Sequence, residues 1–224
     1  MVHFGDPGEL LATGAEPIDG MFVRSLRETA RGNSIAMVFG MFEPGDGTRV
    51  YNTVVALGRD GSVLGYYRMI HLFDAFGHRE SDKIQPGPGS VLTFELGGLN
   101  LGVMTCYDVR FPELGRRLVD EGVEAIVLPA AWVHGLLKED HWEVMVRARA
   151  IENAVYVLAA GQVGNIYSGS SMIVDPMGIA IARAGEQEEL LRGEIHRKRV
   201  EELRAKLPSL QHRRFVVSLA RLDR

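Results

Sequence analysis

Apolar positions along this chain fall into two periods. Runs rich in Val, Ile and Phe at residues 34–42, 50–57, 62–67 and 91–96 predict four β-strands, with Asp60-Gly61 as a hairpin turn between the second and third. From residue 99 the pattern predicts a strand at 99–105, a helix at 112–121, a strand at 125–129, a helix at 138–153 and a strand at 155–160. This β-α-β-α-β alternation points to an α/β fold with a mainly parallel sheet. Pro112 suits the first turn of its helix. In 138–153, Trp142, Met145, Val146, Arg149 and Ile151 recur at near-helical spacing, and Glu139, Asp140 and Glu143 load the first turn with negative charge. Runs at 170–174, 179–181 and 191–195 predict closing strands, with Asp175-Pro176-Met177-Gly178 as a turn between the first two, and a mostly charged helix follows at 196–206. No repeat, linker or low-complexity segment divides residues 1–224, so a single domain is expected.

Composition narrows the partners. A chain of 224 residues with 46% hydrophobic and 24% charged positions suits one globular core, and a net charge of -4 leaves no basic face for a phosphate backbone, which excludes nucleic acid. The longest apolar stretches, such as 154–160, are too short to span a bilayer. Met1-Val2-His3-Phe4-Gly5-Asp6 lacks the features of a signal peptide, and one cysteine allows no intramolecular disulfide, so a cytoplasmic protein is expected. His71, His134 and His141 lack the spacing of a zinc motif, and no metal or other cofactor is expected. The glycine-rich stretch Gly161-Gln162-Val163-Gly164-Asn165 lacks a nucleotide-binding pattern and reads as a turn.

The single cysteine, Cys106, stands where the apolar strand at 99–105 gives way to Tyr107-Asp108-Val109-Arg110-Phe111-Pro112-Glu113. A strand feeding a sharp turn and a helix presents a side chain above the sheet edge, and the helix N-terminus favours thiolate over thiol. The competing reading is a small buried hydrophobe.

Gly102-Val103-Met104-Thr105-Cys106-Tyr107-Asp108-Val109-Arg110-Phe111-Pro112-Glu113 resembles the nucleophile motif of the nitrilase superfamily, the carbon-nitrogen hydrolases. Four further segments follow the family's order: Tyr67-Arg68-Met69-Ile70-His71-Leu72-Phe73-Asp74, Leu128-Pro129-Ala130-Ala131-Trp132, the helix from Arg147 to Val157, and Ser170-Ser171-Met172-Ile173-Val174-Asp175-Pro176-Met177-Gly178. The resemblance implies a four-layer α-β-β-α sandwich and assembly into homodimers or larger homo-oligomers. It also implies a thiolate nucleophile, Cys106, with the Tyr107 N–H as oxyanion donor and Glu80 as the family's second carboxylate, although Glu80 also reads as a solvated loop carboxylate. Ala131 and Trp132 are placed at the substrate pocket, although Trp132 also reads as a core aromatic. Arg147 and Arg149 are expected in salt bridges between helices or subunits, and Asp108, Arg110 and Glu113 as supports of the elbow.

Two positions depart from the family pattern. The lysine of Tyr-Arg-Lys-x-His-Leu is Met69, which has no charge, and the neighbouring Arg68 points to the other face of a strand. The family's glutamate in a strand-end Phe-Pro-Glu has no counterpart, since Phe111-Pro112-Glu113 belongs to the nucleophile motif and residues 1–20 read as the loop that would follow. An N-terminal β-α-β portion is therefore expected to be missing. Glu43, beside Pro44, is assigned to the pocket; replacement of the missing base and membership of a turn both remain open for it. The expected function is hydrolysis of a small linear amide through a cysteine thioester with release of ammonia. The alternative is a catalytically impaired scaffold or ligand-binding relative.

Overall fold

A computed structural model describes residues 11–218 apart from Asn165. The readings made on Met1–Asp6 and on Asn165 lie outside the described residues. The elements in chain order are α1 (Met21–Asn33), β1 (Met37–Pro44), β2 (Val50–Leu57), β3 (Val63–Arg68), β4 (Thr93–Leu96), β5 (Leu99–Val103), α2 (Pro112–Asp120), β6 (Ala125–Ala130), α3 (Lys138–Asn153), β7 (Tyr156–Gly161), β8 (Val163–Gly164), β9 (Tyr167–Ser168), β10 (Met172–Val174), β11 (Ala180–Arg183) and α4 (Arg197–Lys206).

Three sheets result. β1, β2 and β3 form an antiparallel meander, β8 and β9 a short ribbon, and the remaining strands a six-stranded sheet in the order β11-β10-β7-β6-β5-β4. In that sheet only β5, β6 and β7 run parallel, while β4, β10 and β11 pair antiparallel. The expected mainly parallel sheet is thus mixed: the helical crossovers make its centre parallel and the hairpin connections reverse its edges. The run at 191–195 forms no strand; Arg192, Gly193 and Glu194 interrupt its apolar ends, and the sheet already closes at β11.

One core joins both large sheets. Val54, Ala56 and Tyr67 of the meander and Met69 just beyond it pack with Phe94, Leu101 and Val103 of the six-stranded sheet, and the same core takes in Leu114 and Leu118 of α2 and Trp142, Val146 and Ala150 of α3. A second core lies beneath α1, where Val23 and Ala30 meet Met41, Val55 and Leu57. Helix α1 was not anticipated from the sequence; its buried stripe of Val23, Leu26 and Ala30 is narrow and flanked by Arg24, Arg27, Glu28 and Arg31. It is terminated by Ser34 in the left-handed region, at φ 53°.

The Asp60-Gly61 turn joins β2 to β3 as expected and also anchors α1. Arg27 Nε donates to the Gly61 carbonyl at 2.8 Å. Gly61 has φ +77°, and a Cβ there would stand 2.5 Å from the Arg27 carbonyl oxygen. Gly47 has a similar φ of +64° with nothing within 4 Å of the same position. Urea unfolding should therefore report a loss of about 3 kcal/mol for Gly61→Ala and about 1 kcal/mol for Gly47→Ala, because only the first adds a clash to the backbone strain. Equal losses would show that the contact with α1 constrains nothing.

Candidate active site

Parallel β5 and β6 end on the same side of their sheet, the side on which open α/β sheets bind ligands. Beyond β5 the chain stays extended through Thr105, turns at Cys106 and makes one short turn of 3-10 helix over Cys106–Arg110 before α2 begins. Thr105 Oγ1 donates to the Pro129 carbonyl at 3.0 Å, which ties the turn to the end of β6. Cys106 has φ 47°, a left-handed conformation uncommon for a side-chain-bearing residue and typical of positions where the surrounding fold enforces it.

Asp108 is what enforces it. Its side chain is fully buried and accepts the Thr105 N–H at 3.1 Å and the Tyr67 hydroxyl at 2.7 Å on Oδ2. On Oδ1 it meets the His71 N–H at 3.3 Å and His71 Nδ1 at 2.8 Å. His71 in turn stacks on Phe111, with ring centroids 3.7 Å apart. From the other side, Arg149 of α3 donates to the Val109 carbonyl at 2.9 Å and pairs with Glu152, so it braces the elbow from within the subunit. Arg147 donates to the Gly178 carbonyl at 2.8 Å.

Cys106 is 7% exposed, and its thiol points to the Ala131 carbonyl at 3.8 Å. Burial pushes the thiol up to about 12, and the charges of Glu80 and Asp108 push the same way, against the Ala131 contact and Lys138. The expected gain from a helix N-terminus does not overcome desolvation, so the thiol rests protonated. Glu80 is 2% exposed. One oxygen, Oε2, accepts the Phe73 N–H at 2.6 Å, and the other, Oε1, is buried without a hydrogen-bond partner. Burial raises its carboxyl from 4.5 to about 7; the Phe73 bond opposes that rise, and Asp108 and Asp74 add to it. The structure therefore brings together Cys106, Glu80, Ala131 and, by chain adjacency, Tyr107.

Trp132 is a buried core aromatic. It is buried against Trp142, with centroids 5.3 Å apart, and its Nε1 donates to the Lys138 carbonyl at 2.7 Å. Its ring also receives two cations, Arg110 at 5.1 Å and Lys138 at 5.3 Å from the centroid. Met69 is buried, with Asn52 Nδ2 3.4 Å from its sulfur, and brings no charge. Arg68 grips Glu43 through two hydrogen bonds of 2.8 and 2.5 Å, and Thr53 Oγ1 donates a third at 3.0 Å. Among the described residues no group of three His, Cys, Asp or Glu could hold a metal ion, and no helix is long and apolar enough to cross a membrane.

Sequence reasoning passed over Lys138. The signal was present: a lysine as the first residue of a helix stands where the macrodipole disfavours a cation.

The chain is 40% identical over 207 residues to the deaminated glutathione amidase of Escherichia coli O157:H7, spanning 92% of this chain and 79% of that one. It is 35% identical to the omega-amidase NIT2 of Mus musculus, over 89% of this chain and 75% of the other. A crystal structure of a CN-hydrolase superfamily protein from Xanthomonas campestris, with an arsenic adduct in its active site, superposes with a TM-score of 0.83 at 28% identity, covering 96% of this chain and 82% of that one. The carbon-nitrogen hydrolase family matches residues 4–205, and with these relatives that match shows that the chain belongs to the family.

Proposed function

We propose that the protein hydrolyses small linear amides through a Cys106 thioester, releasing ammonia. One observation carries the reading: a nucleophile position held in a left-handed turn shares its buried site with a carboxylate, Glu80, whose Oε1 has no partner. The relatives' names, an amidase and an omega-amidase, support the substrate class.

The electrostatics select the order of events. With the thiol at about 12 and Glu80 at about 7, the resting pair at neutral pH holds at most one negative charge, on Glu80. Ionised Glu80 takes the thiol proton as Sγ bonds to the carbonyl carbon, and the carbonyl π pair moves onto oxygen, where the Tyr107 N–H is the proposed donor. The pair's total charge is unchanged by that proton transfer, so the low-dielectric site is not asked to hold a second charge. Return of the electron pair breaks the C–N bond, and the proton on Glu80 passes to nitrogen, which leaves as ammonia. Water then gives a proton to Glu80 while adding to the thioester carbon, and the thiol departs from the carboxylic acid with that proton.

The remaining readings rest on packing. The stacking of α1, the meander, the six-stranded sheet and the α2–α3 pair supports a four-layer α-β-β-α sandwich in one domain. Val144 and Ile151 of α3, with Ile179 and Ile181 near β11, expose apolar side chains that support a homodimer or larger homo-oligomer. A lone free thiol suits the reducing cytoplasm. A second reading, an impaired ligand-binding scaffold, is favoured by the uncharged Met69 at the lysine position.

Four outcomes are expected. Intact-mass analysis during turnover of a primary amide should show an acyl adduct, and Cys106→Ala should lose both adduct and ammonia release; turnover retained in that variant would refute the thioester. Because the base works deprotonated, kcat/KM should rise about tenfold per pH unit below about 7 and level above it, and Glu80→Gln should lower kcat by about 10²- to 10⁴-fold and flatten the profile. The carboxyl is raised on folding, so its contribution to stability is complete below 4.5 and lost as pH rises through about 7; Glu80→Gln should accordingly raise the melting temperature at pH 8 more than at pH 4. Finally, Met69→Lys should raise amide turnover by about 10²-fold, in keeping with one added charge-stabilising donor. Inactivity of the native chain, with turnover appearing only in Met69→Lys, would establish the impaired scaffold instead.

A further inference from the structure

Lys138 begins α3, where the helix dipole favours anions; Glu139 and Asp140 obey that rule and Lys138 does not. It is nevertheless only 7% exposed, and its surroundings are shaped to hold it inward. Leu137 before it takes up φ 57°. Trp132 Nε1 fixes its carbonyl at 2.7 Å. A Cβ on Gly135 would stand 2.8 Å from Lys138 Cδ, so the glycine leaves room for the side chain.

The ammonium rests 4.5 Å from the centroid of Phe73 and 5.3 Å from that of Trp132. Aromatic faces hold a cation without neutralising it. The adjacent carboxylate, Glu139, lies 3.4 Å from His134 Nδ1. Both rings are walls of the site. The Phe73 N–H holds Glu80 and its ring meets Tyr107 at 5.1 Å, while Trp132 follows Ala131, the acceptor of the Cys106 thiol. The groups facing the ammonium are Cys106, Arg110 and Glu139, and those facing the thiol are Glu80, Asp108 and Lys138.

We infer that Lys138 supplies, from the start of α3, the positive charge for anionic states at Cys106 that Met69 cannot supply from the end of β3. The role rests on the amide-hydrolysis reading for its purpose, and it can be measured without turnover. When Sγ adds to the carbonyl carbon, the electron pair that moves onto oxygen forms within the field of an ammonium already in place, so little reorganisation is required. The same field favours loss of the thiol proton, which leaves an observable on the free enzyme.

The test is alkylation of Cys106, the single cysteine, by iodoacetamide across pH 6 to 11, followed by intact mass, with the steady-state kinetics of a primary amide alongside. Lys138→Met and Lys138→Gln should each slow alkylation about tenfold at pH 8 and displace its profile upward by about one unit, whereas Lys138→Arg should stay within about threefold of the native chain. In any turnover, the two neutral variants should lose kcat. Unchanged alkylation in a neutral variant that keeps its near-ultraviolet circular dichroism overturns the inference, as does a rise in KM alone, which would make Lys138 a binder of substrate. Equal loss in Lys138→Arg also overturns it, since a packing role would not be rescued by charge. A Lys138-dependent alkylation profile without amide turnover would uphold this inference and sink the hydrolase reading.

Discussion

The Asp108 carboxylate is the constraint on which the site depends. It has no exposure to water, and its partners come from two directions: Tyr67 and His71 at the end of the meander, and Thr105 in its own elbow. A buried carboxylate is tolerable only when its oxygens are satisfied, so the two sheets can approach only where all these donors reach it. The Tyr67 phenol is held far above its ordinary range by burial and by the Asp108 charge beside it, so it remains a donor. Once that contact is fixed, Cys106 is forced into its left-handed turn.

Burial then decides the chemistry of what is gathered there. For Cys106, Glu80 and Lys138 alike, desolvation is the largest influence, and in each case it favours the neutral form. A site of this kind stores no thiolate in waiting. It gains reactivity from a proton that can pass between two buried groups without changing their joint charge, and from dipoles and cations aimed beforehand at the place where charge will form. The Oε1 of Glu80 is left free of donors, whereas the Glu43 carboxylate is held by Arg68 and Thr53.

Much of this was legible in the chain, for identifiable reasons. Strand β2 and helix α3 begin and end where periodicity and charge placed them, because each buries a face with few interruptions. The strand-to-helix turn at Cys106 was readable from the change of pattern after residue 105, and Glu80 lies close enough for its charge to act on the thiol. Helix α1 was not legible: Val23, Leu26 and Ala30 make a thin stripe whose partner, the back of the meander, is itself formed only on folding. Of the antiparallel pairings, that of β10 with β11 was announced by the turn at Asp175–Gly178, whereas that of β10 with β7 was hidden, since its direction depends on how a longer connection crosses the sheet, and no local period records that. Glu43 and Glu80 look alike as loop-side acids; what separates them is the tertiary choice of Arg68 to bind one and of nothing to bind the free oxygen of the other.

Strand geometry explains why a compensating charge has to come from elsewhere in the fold. Successive side chains on an extended segment face opposite ways, so Arg68, although adjacent to Met69, is turned toward Glu43 and rests 4.1 Å over the ring of Tyr51. Shifting the register by one residue to bring Arg68 inward would carry Tyr67 away from Asp108 and undo the contact that sets the elbow. The meander therefore cannot exchange one cation for the other. A replacement must arrive on an element outside the register of the meander, and the loop after β6, which leaves the sheet beside the thiol and ends at Lys138, is such an element.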